Sequence, residues 1–204
     1  MRIVNKLMDL PEVGVLLNML SIVSNETYVH SLRVADITEY LLLKEDNFST
    51  EEKTEIVKGA LLHDIGKIFV PLNLIGFNGK LDDYEFEIVK SHPAIGYTLL
   101  SNSFSKIVCS IALSHHERLN GCGYPYKIKD IPDYVQIVAV ADVYEALTNH
   151  RAYKPKYSHD KALELLKKDV EDGKLAQTYV DRLCEADTKR HAFCIEEWEA
   201  AFNS

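Results

Sequence analysis

An all-α fold is predicted for this chain by three features of its sequence. Apolar residues recur at helical spacing over most of its length, capping residues and Gly/Pro signals separate the periodic pieces, and no convincing set of alternating strands is present. A first helix is expected over about Val13–Val23. A second is opened by Ser24 or Asn25 as N-cap and runs to about Lys44. Ser49 and Glu52 have capping-box spacing and open a third, which runs into "LLHDIGK", where Gly66 reads as a natural stop. The stretch "IFVPLNLIGFNGKLDD" carries Pro71, Gly76, Gly79 and the Asn78-Gly79 pair, and reads as a long loop of the kind that is often functional. Helices follow at about 83–100 (broken near Pro93), 104–116, 133–148 and Ser158–Asp172, the last stopped by Gly173. The final thirty residues read as one or two short amphipathic helices with "EADTKRH" as a break between them.

The 204 residues, 47% hydrophobic and 26% charged, suit one domain with a sizeable core. No uninterrupted apolar run is long enough to span a membrane. Pro11, Glu12 and Asn18 break the apolar N-terminal stretch, so a signal peptide is not expected. Cys109, Cys122, Cys184 and Cys194 form no CxxC pair or dense framework, which favours a reducing cytoplasmic setting. A net charge of −8 argues against broad, non-specific binding of polymeric nucleic acid. It does not argue against a small anionic substrate, because local cations, metal ions above all, can reverse the field inside a cleft.

Five of the eight histidines fall into one pattern with several carboxylates. Glu26 and His30 lie four apart on one helix face, where a solvated Glu–His pair is the competing reading. The series Val57, Ala60, Leu61 runs into Asp64, directing its carboxylate inward, while His63 extends the neighbouring row from Ile56 and Ala60. An ionised carboxylate facing the core is costly unless it is paired or bound to metal. His92 precedes Pro93, which disfavours helical geometry at that histidine. His115 continues the stripe Val108, Ile111, Ala112, with His116 beside it, and Val138 and Ala141 place Asp142 on an apolar face. A structural histidine, or an Asp bonded to backbone, competes at each position. Together the residues form a mixed N/O set suited to Mn, Fe, Co or Zn, and six to eight ligands exceed the needs of one ion.

"HDIGK" at 63–67, "HH" at 115–116, "GYP" at 123–125 and "VADVYEALTNHRAYK" at 140–154 resemble the HD-GYP phosphodiesterases of the HD superfamily, with the motifs in order over residues 20–170. The resemblance implies a helical HD domain with a central metal cleft and a C-terminal helical extension from about residue 171. It also implies hydrolysis of the bacterial messenger cyclic di-GMP to linear pGpG, with GMP as a further product left open. By motif position it implies that His63, Asp64, His92, His115, His116 and Asp142 are metal ligands, joined by His30. Glu26 is similar to the acidic ligand of a third metal in some members. Two or three divalent ions, Fe or Mn first, are thus expected as cofactors, with Asp64 best placed to bridge them.

Two metals acidify a bridging water and neutralise phosphate oxygens, so that hydroxide can attack phosphorus in line with the departing 3′ oxygen. The resemblance puts Lys67 at the phosphate, where it could stabilise developing charge or assist the leaving oxygen. It puts Arg151 and Lys154 at substrate phosphate or guanine. Lys80 is a weaker candidate, and Tyr124 could stack or hydrogen-bond, although packing beneath its own loop competes. The paired histidines are expected to face different metals, beside a GYP rim that could also dock a protein partner. Members commonly carry Asp where Asn120 stands; Asn keeps the turn propensity and drops the charge. Too few residues precede the motif region here for a sensory domain, so regulatory input is expected from a separate partner, from elsewhere in a longer protein, or not at all. Hydrolysis of another cyclic dinucleotide or nucleotide, and non-catalytic nucleotide binding, are the alternatives.

Overall fold

Helices build the protein, and no strand occurs among the described residues, which in this computed structural model are 2–75, 79, 81–149 and 157–185. In chain order they are α1 (Ile3–Met8), α2 (Pro11–Val23), α3 (Asn25–Leu42), α4 (Thr50–Leu62), a 3-10 turn (Ile65–Phe69), α5 (Leu72–Ile75), α6 (Asp83–Val89), α7 (His92–Leu100), α8 (Lys106–Ser114), α9 (Asp133–Thr148), α10 (His159–Glu171) and α11 (Gln177–Cys184). None of the helices among the described residues is long and apolar enough to cross a membrane.

Local chemistry explains most of the starts. The Ser24 hydroxyl accepts from the Thr27 amide at the head of α3, and Ser105 and Ser158 do the same for α8 and α10. Ser49 with Glu52, and Asp82 with Glu85, close full capping boxes on α4 and α6. The first helix was not anticipated, because its cap is remote in sequence. Glu39 on α3 accepts from the Ile3 and Val4 amides at 2.9 and 3.2 Å, and Arg2 pairs with Asp36 at 2.9 Å.

The core runs between α3, α4, α8 and α9. On α9 the run Ile137, Val138, Ala139, Val140, Ala141 is buried without interruption, as expected of a helix enclosed on all sides. Leu32, Leu41, Ile56, Leu61, Leu62 and Ile111 fill the space around it.

Two expectations need correction. Gly66 does not stop α4; it lies inside the 3-10 turn that follows. A Cβ there would stand 2.0 Å from the His92 carbonyl oxygen and 2.6 Å from the Gly96 amide nitrogen, so the glycine lets this turn lie directly against α7. The break expected near Pro93 is present, at Lys90–Ser91; the correction concerns His92, which is helical and opens α7 with Pro93 in the first helical turn, where a missing amide proton costs nothing. The long loop contains the one-turn helix α5, while residues 76–78 and 80 lie outside the described residues.

Candidate metal centre

Seven side chains from five segments meet in the middle of this core. His30 comes from the second turn of α3, His63 from the C-cap of α4 and Asp64 from the residue after it. His92 starts α7, His115 caps the C-terminus of α8 with His116 next, and Asp142 projects from α9. They form two groups, Asp64–His92–His115–His116 and His30–His63–Asp142, with the potential ligand atoms of each within 4.8 Å of one another. All but His116 are buried.

Each carboxylate touches both groups. Asp64 turns Oδ1 toward His92 Nε2 at 3.1 Å and His115 Nε2 at 3.7 Å, and Oδ2 toward His63 Nε2 at 3.4 Å and His30 Nε2 at 3.6 Å. Asp142 places Oδ1 3.1 Å from His30 Nε2 and Oδ2 3.9 Å from His116 Nδ1. Asp64 therefore lies between the two groups, and so does Asp142. His115 and His116 fall in the same group, their ring centroids 4.0 Å apart, and His116 alone of the two also approaches Asp142.

The donor set fits divalent metal ions. His63 Nδ1 lies 2.7 Å from the Ala60 carbonyl, His92 Nδ1 2.7 Å from that of Val89, and His115 Nδ1 3.0 Å from that of Ala112. A carbonyl only accepts, so each Nδ1 carries the proton and each Nε2 turns a lone pair into the site. His92 Nε2 and His115 Nε2 consequently face each other at 3.3 Å with no proton between them. His63 Nε2 and Asp64 Oδ1 are buried with no hydrogen-bond partner. Buried lone pairs converging without donors are costly in a neutral core and suited to a cation.

The electrostatics agree. Burial would raise Asp64, but the Lys67 ammonium beside it acts the other way, and it lies well below the ordinary carboxylate range. Asp142 is lowered likewise, against burial, by His30 and His116. Burial pulls His115 down to about 4 and His116 well below its ordinary value. His30 is the exception: burial opposes its proton, yet Glu145 and Asp142 push it up to about 9.

Glu145 is the residue that sequence reasoning missed. It is 2% exposed, and its Oε2 lies 2.5 Å from His30 Nδ1, the far side of the ring from the two aspartates. Arg33 stands 3.7 Å from its other oxygen. A carboxylate behind a ligating imidazole fixes ring orientation and increases basicity. The available signal was an acid three residues after Asp142, on the same face of an otherwise apolar helix. Glu26 is exposed on the first turn of α3 and belongs to neither group.

Lys67, in the 3-10 turn, donates to Asp64 Oδ2 at 2.6 Å and keeps its ammonium partly open to solvent. Tyr124 stacks on His116, centroids 4.5 Å apart and planes 26° apart, and its amide donates to the His116 carbonyl at 3.2 Å. Gly123 is required by proximity: a Cβ there would come within 2.5 Å of the backbone at His116, Glu117 and Arg118. The Tyr124–Pro125 peptide is cis. Asn120 closes the turn through its Oδ1, which accepts from the Cys122 amide, and its Nδ2 donates to the Asp172 carbonyl at 2.9 Å. The GYP loop is thereby tied to the end of α10. Arg151, Lys154 and Lys80 lie outside the described residues.

The HD domain family matches residues 14–176. Among similar curated proteins is a cyclic di-GMP phosphodiesterase of Thermotoga maritima, 42% identical over 172 residues, which covers 80% of this chain and 45% of that protein. Another is the 3′3′-cGAMP-specific phosphodiesterase 1 of Vibrio cholerae, 31% identical over 185 residues, covering 88% and 42%. A solved structure of an HDG"Y"P protein from Bdellovibrio bacteriovorus aligns with a TM-score of 0.63 at 26% identity, over 76% of this chain and 50% of that one. The chain spans less than half the length of the curated relatives it matches. On the family match over most of its length, and with His63 and Asp64 inside the cluster, the chain belongs to the HD domain family and carries the signature motifs of its HD-GYP members.

Proposed function

We propose that this chain is a metal-dependent phosphodiesterase that hydrolyses cyclic di-GMP to linear pGpG, with cleavage to GMP as a further step. The observation that carries this reading is the pair of carboxylates, Asp64 and Asp142, each reaching both groups of imidazoles, with the His63, His92 and His115 Nε2 lone pairs turned inward between them. Divalent ions held there, Fe or Mn first, supply an acidified water and neutralise the phosphate oxygens. His92, His115 and His116 with Asp64 would hold one ion, and His30 and His63 with Asp142 a second; Glu26 is retained as the candidate acid for a third. Asp64 orients the site from both sides, and Glu145 holds the His30 ring. Lys67, which stands beside Asp64, would reach the phosphate as a charge stabiliser or as proton donor to the departing 3′ oxygen. Arg151 and Lys154 are proposed as further substrate contacts, and the outer GYP loop as a docking place for a protein partner.

The test is to load the purified chain anaerobically with Fe(II) or Mn(II) and follow cyclic di-GMP by chromatography. Turnover to pGpG that is absent in His63→Ala supports the reading; binding without turnover under every metal condition overturns it. The similarity to a 3′3′-cGAMP-specific enzyme over 88% of this chain makes that dinucleotide the second substrate to offer.

A further inference from the structure

Helix α6 buries none of its residues, although it carries Tyr84, Phe86, Ile88 and Val89. Ile88 and Val89 are half-buried, while the Tyr84 and Phe86 rings stay exposed. Phe86, 47% exposed, and Lys90, just past the helix end, are four residues apart and share a face. That face points at the GYP loop: the Lys90 ammonium lies 4.8 Å from the centre of the Phe86 ring and 6.0 Å from that of Tyr124. Tyr124 in turn lies flat on His116. A row of side chains thus leads outward from the metal group, through His116, Tyr124 and Lys90, to an exposed phenyl ring.

We propose that Phe86, Lys90 and Tyr124 form a second nucleotide subsite that takes a purine base and the second phosphate of a cyclic dinucleotide, a reading that rests on the function proposed above. A cyclic dinucleotide carries two phosphates in one ring, so a scissile phosphate at the metals leaves the other outside them, without a metal to neutralise it. Lys90 places a cation on that route, held between two aromatic faces. Phe86 offers the flat apolar surface on which a purine stacks, a contact indifferent to which base arrives. Tyr124 acts as the wall that fixes Lys90 relative to the metals. Glu87, exposed and paired with the Lys90 ammonium, is the group that phosphate must displace.

The test compares KM, kcat and metal content for cyclic di-GMP in the metal-loaded chain and four variants. Phe86→Ala and Lys90→Gln are each expected to raise KM about tenfold, with kcat little changed, the pattern of lost uniform binding. Phe86→Trp is expected to keep KM at or below the original value. Glu87→Gln is expected to lower it, because the competing carboxylate charge is gone. Metal content is expected to match the unmodified chain throughout. An unchanged KM in Phe86→Ala and Lys90→Gln, with the unmodified chain active, overturns the subsite alone. Loss of metal in step with activity also overturns it, since these residues would then support the metal centre. An unmodified chain that turns over no cyclic dinucleotide overturns the proposed function and the subsite together.

Discussion

His30 carries the clearest conflict among the residues of the cluster. It faces Asp142 and Asp64 on one side and Glu145 on the other, and without a metal Glu145 and Asp142, against burial, hold a proton on it up to about pH 9. A metal ion needs that proton gone. Metal uptake is therefore expected to release protons below about pH 9, and affinity to rise with pH up to that value; titration in two buffers of different ionisation enthalpy measures it. Glu145→Gln removes one of the charges and the strong acceptor behind the ring, and is expected to weaken metal affinity by about 10- to 100-fold. The metal-free protein has a linked signature. The His30 value is raised above the ordinary 6.5, so its contribution is complete below pH 6.5 and is lost as pH rises through about 9, at most about 3 kcal/mol. His115, lowered to about 4, has the opposite sign, costing stability as pH falls from 6.5 toward 4. Urea unfolding of the metal-free chain should thus weaken on both sides of neutrality, and His30→Gln should remove the alkaline limb.

At the scale of elements, the site depends on close backbone approach at two glycines. Gly66 lets the 3-10 turn touch the start of α7, which sets Asp64 against His92. Gly66→Ala puts a methyl group into the His92 carbonyl, and the overpacking should cost about 1–3 kcal/mol. Thermal unfolding should then fall by about 2–10 °C, with reduced metal content because His92 is pushed away from Asp64. The GYP loop is organised in the same way, by Gly123 against the 116–118 backbone and by Asn120 against α10. The Asn120 amide explains the departure from the Asp expected at this position, since a carboxylate there could not donate to the Asp172 carbonyl. Asn120→Asp is expected to cost about 1 kcal/mol while keeping the bond from the Cys122 amide. Hydrogen exchange should report faster opening at residues 119–126, with the α4 core unaffected.

For the whole molecule, the proposed metal centre would also be a structural joint. Its candidate ligands come from α3, α4, α7, α8, α9 and the turns beside them, so ions bound there would tie the domain together across its core. A folded state that binds metal a hundredfold above its dissociation constant gains about 2.7 kcal/mol. Stripping the ions with a chelator should lower the unfolding temperature by about 5–10 °C, and re-addition of Mn(II) should restore it. An unfolding temperature indifferent to metal would contradict the fit of the donor set.

Helix existence and order were legible because apolar spacing, serine caps and capping boxes are local, and a local signal survives in a one-dimensional string. So were His63, Asp64, His115 and Asp142 as inward-facing groups, because an apolar stripe running into a polar residue states its direction. The remaining features depend on contacts between distant residues. The cap of α1 is Glu39, the carboxylate behind His30 is Glu145 on another helix, and Gly66 answers to a carbonyl on α7. Only the tertiary structure decided that His115 and His116 share one group and that Asp64 and Asp142 each reach both. The physical reason is that a side chain's direction follows from its own helix, whereas the ligands it shares are set by how helices pack.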